Sequence, residues 1–245
     1  MKILLLADIH ANFVALSAIK ESFDACFFLG DAVEYGTDPA PCVDWIRNSS
    51  TAVVRGNHDH STAQRVQSQG ASPLRRLAAA TRDINERLLT ASHRKYLSQM
   101  PLTRSIDLDG KKFFLVHATP RDPMDEYLTD DPTSWQQRLS MIDADYVCVG
   151  HTHRPLHLDL GRTQVVNPGS VGQPRNGQPG AHYAVIEEGR IDFRTATYDI
   201  DLAVEQMRQA GLAEELVALS EHLLKTGGTL PTSFATTSPE PSPGL

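Results

Sequence analysis

Eight polar residues of this 245-residue chain stand directly after short apolar runs, and each carries an oxygen or nitrogen able to bind a metal ion. Asp8 and His10 follow "KILLL", Asp31 follows "ACFFLG", and Asn57 and His58 follow "TAVVRG". His117 follows "KKFFLV", and His151 and His153 follow "YVCVG". Taken singly these are weak signals, because loops favour Gly, Asn and Asp and an Asp-x-His pair arises readily by chance. Their joint occurrence at five separate run ends is what points to a site. The donors are carboxylate, amide and imidazole with no thiolate, a set suited to Mn, Fe, Co, Ni or Zn rather than Ca or Mg. They are too many for one ion. Two ions about 3.5–4 Å apart would share a bridging carboxylate and a bridging water.

Such residues meet only if the runs are neighbouring strands, because ligands of open α/β sheets gather outside the strands' carboxyl ends. The apolar runs have strand length. Helix-like segments separate several of them. "NFVALSAIKESF" carries an apolar stripe at Phe13, Leu16, Ile19 and Phe23. "DPAPCVDWIRNS" and "DPTSWQQRLSMI" open with Asp-Pro in cap and first-turn positions. This alternation predicts βαβ units and a largely parallel sheet at the start. Residues 61–100 read as a helical insertion or cap, with helical spacing at Leu74, Leu77 and Ala78 and at Ile84, Leu88 and Leu89. The sheet should resume near Leu102. "GQPRNGQPG" reads as a loop, "AHYAVIEE" and "RIDFRTATY" as two strands joined at Gly189, and residues 199–226 as two closing helices. Residues 1–228 then form one domain, and the Pro/Ser/Thr-rich tail 229–245 is expected to be disordered.

The formal charge of -7 argues against a nucleic-acid surface, which is normally basic. No apolar run has the length of a membrane span. "MKILLLADIH" meets Asp8 too early for a leader and reads as the first core strand. Cys26, Cys42 and Cys148 lack metal or redox spacing and suit reduced thiols of a cytoplasmic protein. No GxGxxG follows the first strand, which removes a dinucleotide-binding reading.

The blocks Asp8-x-His10, Gly30-Asp31, Gly56-Asn57-His58-Asp59, His117 and Gly150-His151-Thr152-His153, in this order, resemble the calcineurin-like metallophosphoesterase superfamily. "NPGSVGQPR" at 167–175 resembles its small bacterial and archaeal phosphodiesterase branch. The resemblance implies an α/β layered fold of two packed mixed β-sheets flanked by helices, with the site at the strand ends. It implies one ion on Asp8, His10, Asp31 and His153 and another on Asp31, Asn57, His117 and His151, bridged by Asp31. Manganese is the first expectation for both, with Fe, Zn, Ni or Co as alternatives. The superfamily's Ser/Thr phosphatases place Asp-Arg-Gly shortly after the bridging Asp, where this chain reads Glu34-Tyr35-Gly36. Glu34 remains able to hold His58, but position 35 lacks a phosphate-clamping arginine.

The expected function is dinuclear-metal hydrolysis of a small phosphoester, nucleotides included, by a water activated between the ions. A phosphodiesterase is the first expectation. A phosphomonoesterase or a diadenosine-polyphosphate hydrolase is the alternative, and a scaffold that keeps the fold without catalysis is a third. His58 is the candidate general acid, and Asn57 would touch both metal and substrate. Arg55, Arg121 and Arg175 are candidate substrate contacts, Arg175 foremost because a Gly/Pro loop carries it. Neither membrane nor nucleic acid is expected as a partner, and a homo-oligomer stays compatible with the sequence.

Overall fold

The computed structural model describes residues 1–66 and 72–230. In chain order the elements are β1 (Lys2–Leu6), α1 (Phe13–Ala18), β2 (Ala25–Phe28), α2 (Pro39–Ser49), β3 (Ala52–Val53), α3 (Asn57–Gln64), α4 (Pro73–Leu88) and α5 (Ala91–Gln99). Then come β4 (Thr103–Leu108), β5 (Lys111–Val116), α6 (Pro132–Arg138), β6 (Tyr146–Cys148), β7 (Pro155–Asp159), β8 (Gln164–Pro168), β9 (Ala181–Glu187), β10 (Arg190–Ala196), α7 (Ile200–Gln209) and α8 (Glu214–Thr226).

The strands form two five-stranded mixed sheets, ordered β10-β9-β1-β2-β3 and β4-β5-β6-β8-β7. β1, β2 and β3 run parallel, as do β5, β6 and β8, so the ends carrying the polar residues point one way within each sheet. The sheets pack face to face. Ile3, Leu5 and Phe27 meet Phe113, Leu115, Cys148 and Val166 in a shared core. Phe27 and Phe113 cross edge to face with centroids 5.2 Å apart. Leu4, Leu6 and Phe28, on the other face of the first sheet, pack against Leu16, Val43, Ile46 and Leu97 from helices. Both faces are therefore covered, which is why β1 and β2 read as continuous apolar runs rather than alternating ones.

Several expectations shift in detail. α1 ends at Ala18, because Ile19 is extended with ψ 107°. Ile19 and Phe23 still pack against the core, but from outside the helix. Their spacing imitated a helical period that the backbone does not follow. The run "TAVV" contributes only two paired residues, at Ala52 and Val53. β7 is not among the expected strands, although Leu156 and Leu158 alternate with polar residues and pack on the core. Asp38 makes no side-chain cap bond, whereas Asp131 accepts the Ser134 N–H at 3.0 Å.

The stretch 61–100 contributes helices to two different cores. Leu97 of α5 packs on the first sheet, while Leu77, Ala78 and Ile84 of α4 join Val204, Met207, Leu216 and Val217 of α7 and α8. The tail expected to be disordered lies outside the described residues from 231 onward. No helix among the described residues is long and apolar enough to cross a membrane.

Candidate metal centre

The strand ends of both sheets converge on one buried spot. The Asp8 N–H donates to Gly30 O at 2.9 Å, the His10 N–H to Asp31 O at 3.0 Å, and the Gly150 N–H to His117 O at 2.8 Å. These bonds stitch successive strand-end loops together. The turns are tight. Asp8, His10, Ala11, Asp31, Glu34, Tyr35, His151 and His153 all have left-handed φ between 47° and 66°. Among the described residues only Arg65, Asp109 and Glu188 share that conformation without being glycine. Strain of this kind, of order 1–3 kcal/mol per residue, persists only where surrounding structure imposes it. Two glycines permit the crowding. Gly30 has φ 97°, and a Cβ there would lie 2.6 Å from His117 Nδ1; a Cβ on Gly56 would overlap the Asp31 carboxylate.

Two donor groups result. The ligand atoms of Asp8, His10 and His153 lie within 4.8 Å of one another, and so do those of Asp31, His117 and His151. All six residues are at most 3% exposed. Asp31 lies between the groups, with Oδ2 3.1 Å from His117 Nε2 and 4.0 Å from His10 Nε2. Asn57 Oδ1 adds to the second group, 3.2 Å from His117 Nε2. The His151 N–H reaches Asp8 Oδ1 at 3.3 Å and ties the two groups together.

The donor chemistry fits divalent cations. His10 Nδ1 lies 2.9 Å from Val33 O, His117 Nδ1 2.7 Å from Leu29 O, and His153 Nδ1 2.6 Å from Gln173 O. A carbonyl can only accept, so each Nδ1 carries the proton and Nε2 is turned into the site, the usual arrangement of a metal-binding imidazole. His10 Nε2 and His153 Nε2 then face each other at 3.1 Å. Two lone pairs at that distance repel unless a cation or proton sits beside them. Asp8 Oδ2 and His151 Nε2 are buried without a hydrogen-bond partner among the described residues, while Asp31 Oδ2 meets His117 Nε2 at 3.1 Å. Buried polar atoms are normally satisfied, and two orphans beside a shared carboxylate mark a place for a ligand.

The charges agree. Burial pushes Asp8 up to about 7, with Asp31 adding to the effect and the His117 imidazolium opposing it. Burial also opposes ionisation of Asp31, yet His117, His58 and His10 hold its carboxyl well below the usual range. Burial works against a charged His117, but the Asp31 carboxylate beside it lifts its pKa to about 10. Burial holds His10 and His153 well below the ordinary imidazole value, and burial with the His117 charge brings His151 down to about 3.

His58 belongs to neither group. Its N–H bonds Asp31 Oδ1 at 2.9 Å, and its Nδ1 lies 2.6 Å from Glu34 Oε2. Burial alone would depress this ring, but Glu34, with Asp31 behind it, holds its pKa above the ordinary value. Glu34 is fully buried and clamped by Arg82, whose Nε and Nη2 donate at 2.6 and 3.1 Å, and by the Thr62 hydroxyl at 3.0 Å. α4 also fixes the loop itself. Asn85 Oδ1 accepts the Glu34 N–H at 2.9 Å and Thr81 Oγ1 the Tyr35 N–H at 2.8 Å.

The candidate substrate arginines separate. Arg175 lines a cavity of about 460 Å³ beside the donor groups, together with Tyr35, Asn57, His58, Tyr127 and His151. Arg55 does not line it, and its guanidinium donates to Ser98 O at 2.9 Å. Arg121 has a side chain 69% exposed and pairs with Glu126. Neither lines this cavity: a basic residue near a signature block in sequence need not face it. The expectation drawn from Tyr35 also changes, because the Arg175 guanidinium lies over that ring, 5.8 Å from its centre. Arg82 and Tyr127 gave no sequence signal, one lying mid-helix and the other in a featureless loop. Asp59 was visible in the "GNHD" block, and its carboxylate accepts the Asp31, Ala32 and Gly56 N–H groups at 2.8–3.1 Å.

Known proteins bear on the same architecture. The uncharacterized protein MJ0912 of Methanocaldococcus jannaschii is 30% identical over 241 residues, covering 87% of this chain and 95% of that one. The crystal structure of a metallophosphoesterase from Sphaerobacter thermophilus superposes with a TM-score of 0.77 at 34% identity, covering 93% of this chain and 99% of that one. The hypothetical protein PH1004 from Pyrococcus horikoshii shares the fold at a TM-score of 0.76 and 22% identity, covering 93% and 98%. Residues 1–190, which carry every motif and both donor groups, match the calcineurin-like phosphoesterase superfamily domain, and the chain belongs to that superfamily.

Proposed function

We propose that the chain is a dinuclear-metal phosphoester hydrolase acting on a small substrate. The observation carrying this reading is the pair of buried donor groups, with Asp8 Oδ2 and His151 Nε2 unpartnered beside the Asp31 carboxylate. One divalent ion would be held by Asp8, His10, Asp31 and His153, and the other by Asp31, Asn57, His117 and His151. Manganese is the first choice for such mixed oxygen and nitrogen donors, with Fe, Zn, Ni or Co as alternatives. When bound, the ions supply Lewis-acid activation of water and charge neutralisation at the phosphoryl group.

The chain's own residues do the rest. Asn57, on the first turn of α3, stands at the cavity edge and can donate through its amide nitrogen to a phosphoryl oxygen. His58 lines the same cavity, and with Nδ1 directed to Glu34 it presents Nε2 to that space. Against the effect of burial, Glu34 and Asp31 raise its pKa above the ordinary imidazole value, which favours the charged ring that can deliver the Nε2 proton to the departing alkoxide. Glu34 accepts from Nδ1 throughout and stabilises the charged ring. Arg82 and Thr62 keep Glu34 in place.

The test is hydrolysis of bis-p-nitrophenyl phosphate and p-nitrophenyl phosphate by metal-stripped protein with Mn²⁺ added back. Metal-dependent release that is lost in Asp31→Asn supports the reading. Absence of metal-dependent turnover with either ester, at full metal occupancy, counts against it. His58→Ala should keep its ions and lose about 10²–10⁴-fold in turnover. Loss of metal from that variant would remove the acid role.

A further inference from the structure

Arg175 stands on the loop between β8 and β9, and its backbone is pinned to the metal-ligand turn. Its N–H donates to His153 O at 3.2 Å, and its carbonyl accepts from Arg154 Nε at 3.0 Å. The guanidinium's close contacts are with neutral groups. Nη2 donates to Gln173 Oε1 at 3.0 Å, the Tyr127 hydroxyl lies against it, and Tyr35 offers its ring face. Among the described residues no carboxylate forms an ion pair with it, whereas Arg82 is committed to Glu34. Arg175 is half-buried, and a guanidinium carries five N–H donors, so the contacts named here leave donors free to meet an anion. Asp8 is the acid whose field it feels, and divalent ions on Asp8 and Asp31 would neutralise that field. Arg175 would then be a preorganised, uncompensated cation on the wall of the cavity. Tyr127 lines the same cavity, 63% exposed and at a tilt to His151 with ring centres 4.1 Å apart.

We propose that Arg175, steadied by Gln173 and Tyr127, is an anion subsite that selects a phosphomonoester dianion over a diester. This rests on the phosphoester-hydrolase reading and names its substrate class. A monoester carries close to two negative charges at neutral pH, since its second pKa is about 6. Its free oxygens match the planar fork of an arginine bidentately. A diester carries one charge and two free oxygens instead of three, so once two are committed to the metal-binding groups none is left for the fork.

The experiment compares wild type, Arg175→Gln and Arg175→Lys in the Mn²⁺-loaded protein. Calorimetry measures binding of inorganic phosphate, and kcat/KM is measured for p-nitrophenyl phosphate and its bis ester. The expected result is phosphate affinity weakened at least about tenfold in Arg175→Gln, with the monoester-to-diester ratio of kcat/KM falling by a similar factor. Arg175→Lys should recover part of both. Phosphate affinity within about twofold of wild type, or an unchanged ratio, would overturn the subsite. If wild type cleaves neither ester, the hydrolase reading fails and the phosphate titration decides alone: weaker binding in Arg175→Gln keeps the anion site, and equal binding removes it.

Discussion

The two donor groups use the same residue types, yet they hold protons differently. In the group of Asp8, His10 and His153, both imidazoles are kept neutral by burial and face each other lone pair to lone pair. In the group of Asp31, His117 and His151, a proton already sits on His117 beside the Asp31 carboxylate, with a pKa near 10. An ion at the second position has to displace the His117 proton, whereas at the first position the competing proton is the more weakly held one of Asp8, pushed up to about 7. Burial alone does not set the protonation of a buried histidine. A carboxylate 3.1 Å away from its free nitrogen does.

The strongest way to break this difference is Asp31→Asn, which removes the charge both groups use. It should abolish turnover by about 10³-fold or more and leave less than a full complement of metal by elemental analysis. Next in size, His153→Gln and His151→Gln should each lose about one ion, from different positions, with activity down about 10²-fold. Equal retention of both ions in the two variants would contradict the two-position arrangement.

Proton competition sharpens the contrast. Because His117 keeps its proton at pH 7, loading the second position should release that proton. Calorimetry in buffers of different ionisation enthalpy would report it, and apparent affinity should fall as pH falls. Linkage gives a matching effect on stability. The folded pKa of His117 lies above its unfolded value of about 6.5, so the stability it contributes is present below pH 6.5 and lost as pH rises toward 10. The metal-free chain should therefore melt at lower temperature as pH goes from 7 to 9, and Mn²⁺ or His117→Gln should flatten that slope. The smallest effect is expected of Arg82→Met. It leaves both groups intact and loosens Glu34, so turnover should drop about tenfold with metal content unchanged.

Much of this was legible in the chain. The donors announce themselves because parallel strands buried on both faces read as apolar runs, and the first polar residue after each run stands out. Two-sheet packing followed from the family resemblance rather than from the runs themselves. Arg82, Thr81 and Asn85 were invisible because a helix presents them at ordinary spacing, and only the folded chain shows that they grip the Glu34–Gly36 loop. The arginines illustrate the same limit. Arg55 lies next to a signature block yet turns away to Ser98, while Arg175, far along the chain, arrives beside Tyr35. Proximity in sequence fails wherever a side chain's direction is decided by a loop's path.

The packing of α4 has a consequence for where this protein can be cut. The superfamily match stops at residue 190, and a fragment ending near 198 would retain every signature motif and both sheets. It would also strip Val204, Met207, Leu216 and Val217 from the apolar face of α4. That helix carries the three side chains fastening the left-handed turn under His58. The shortened chain should keep its sheet signature in circular dichroism and its metal, yet behave as a damaged catalyst.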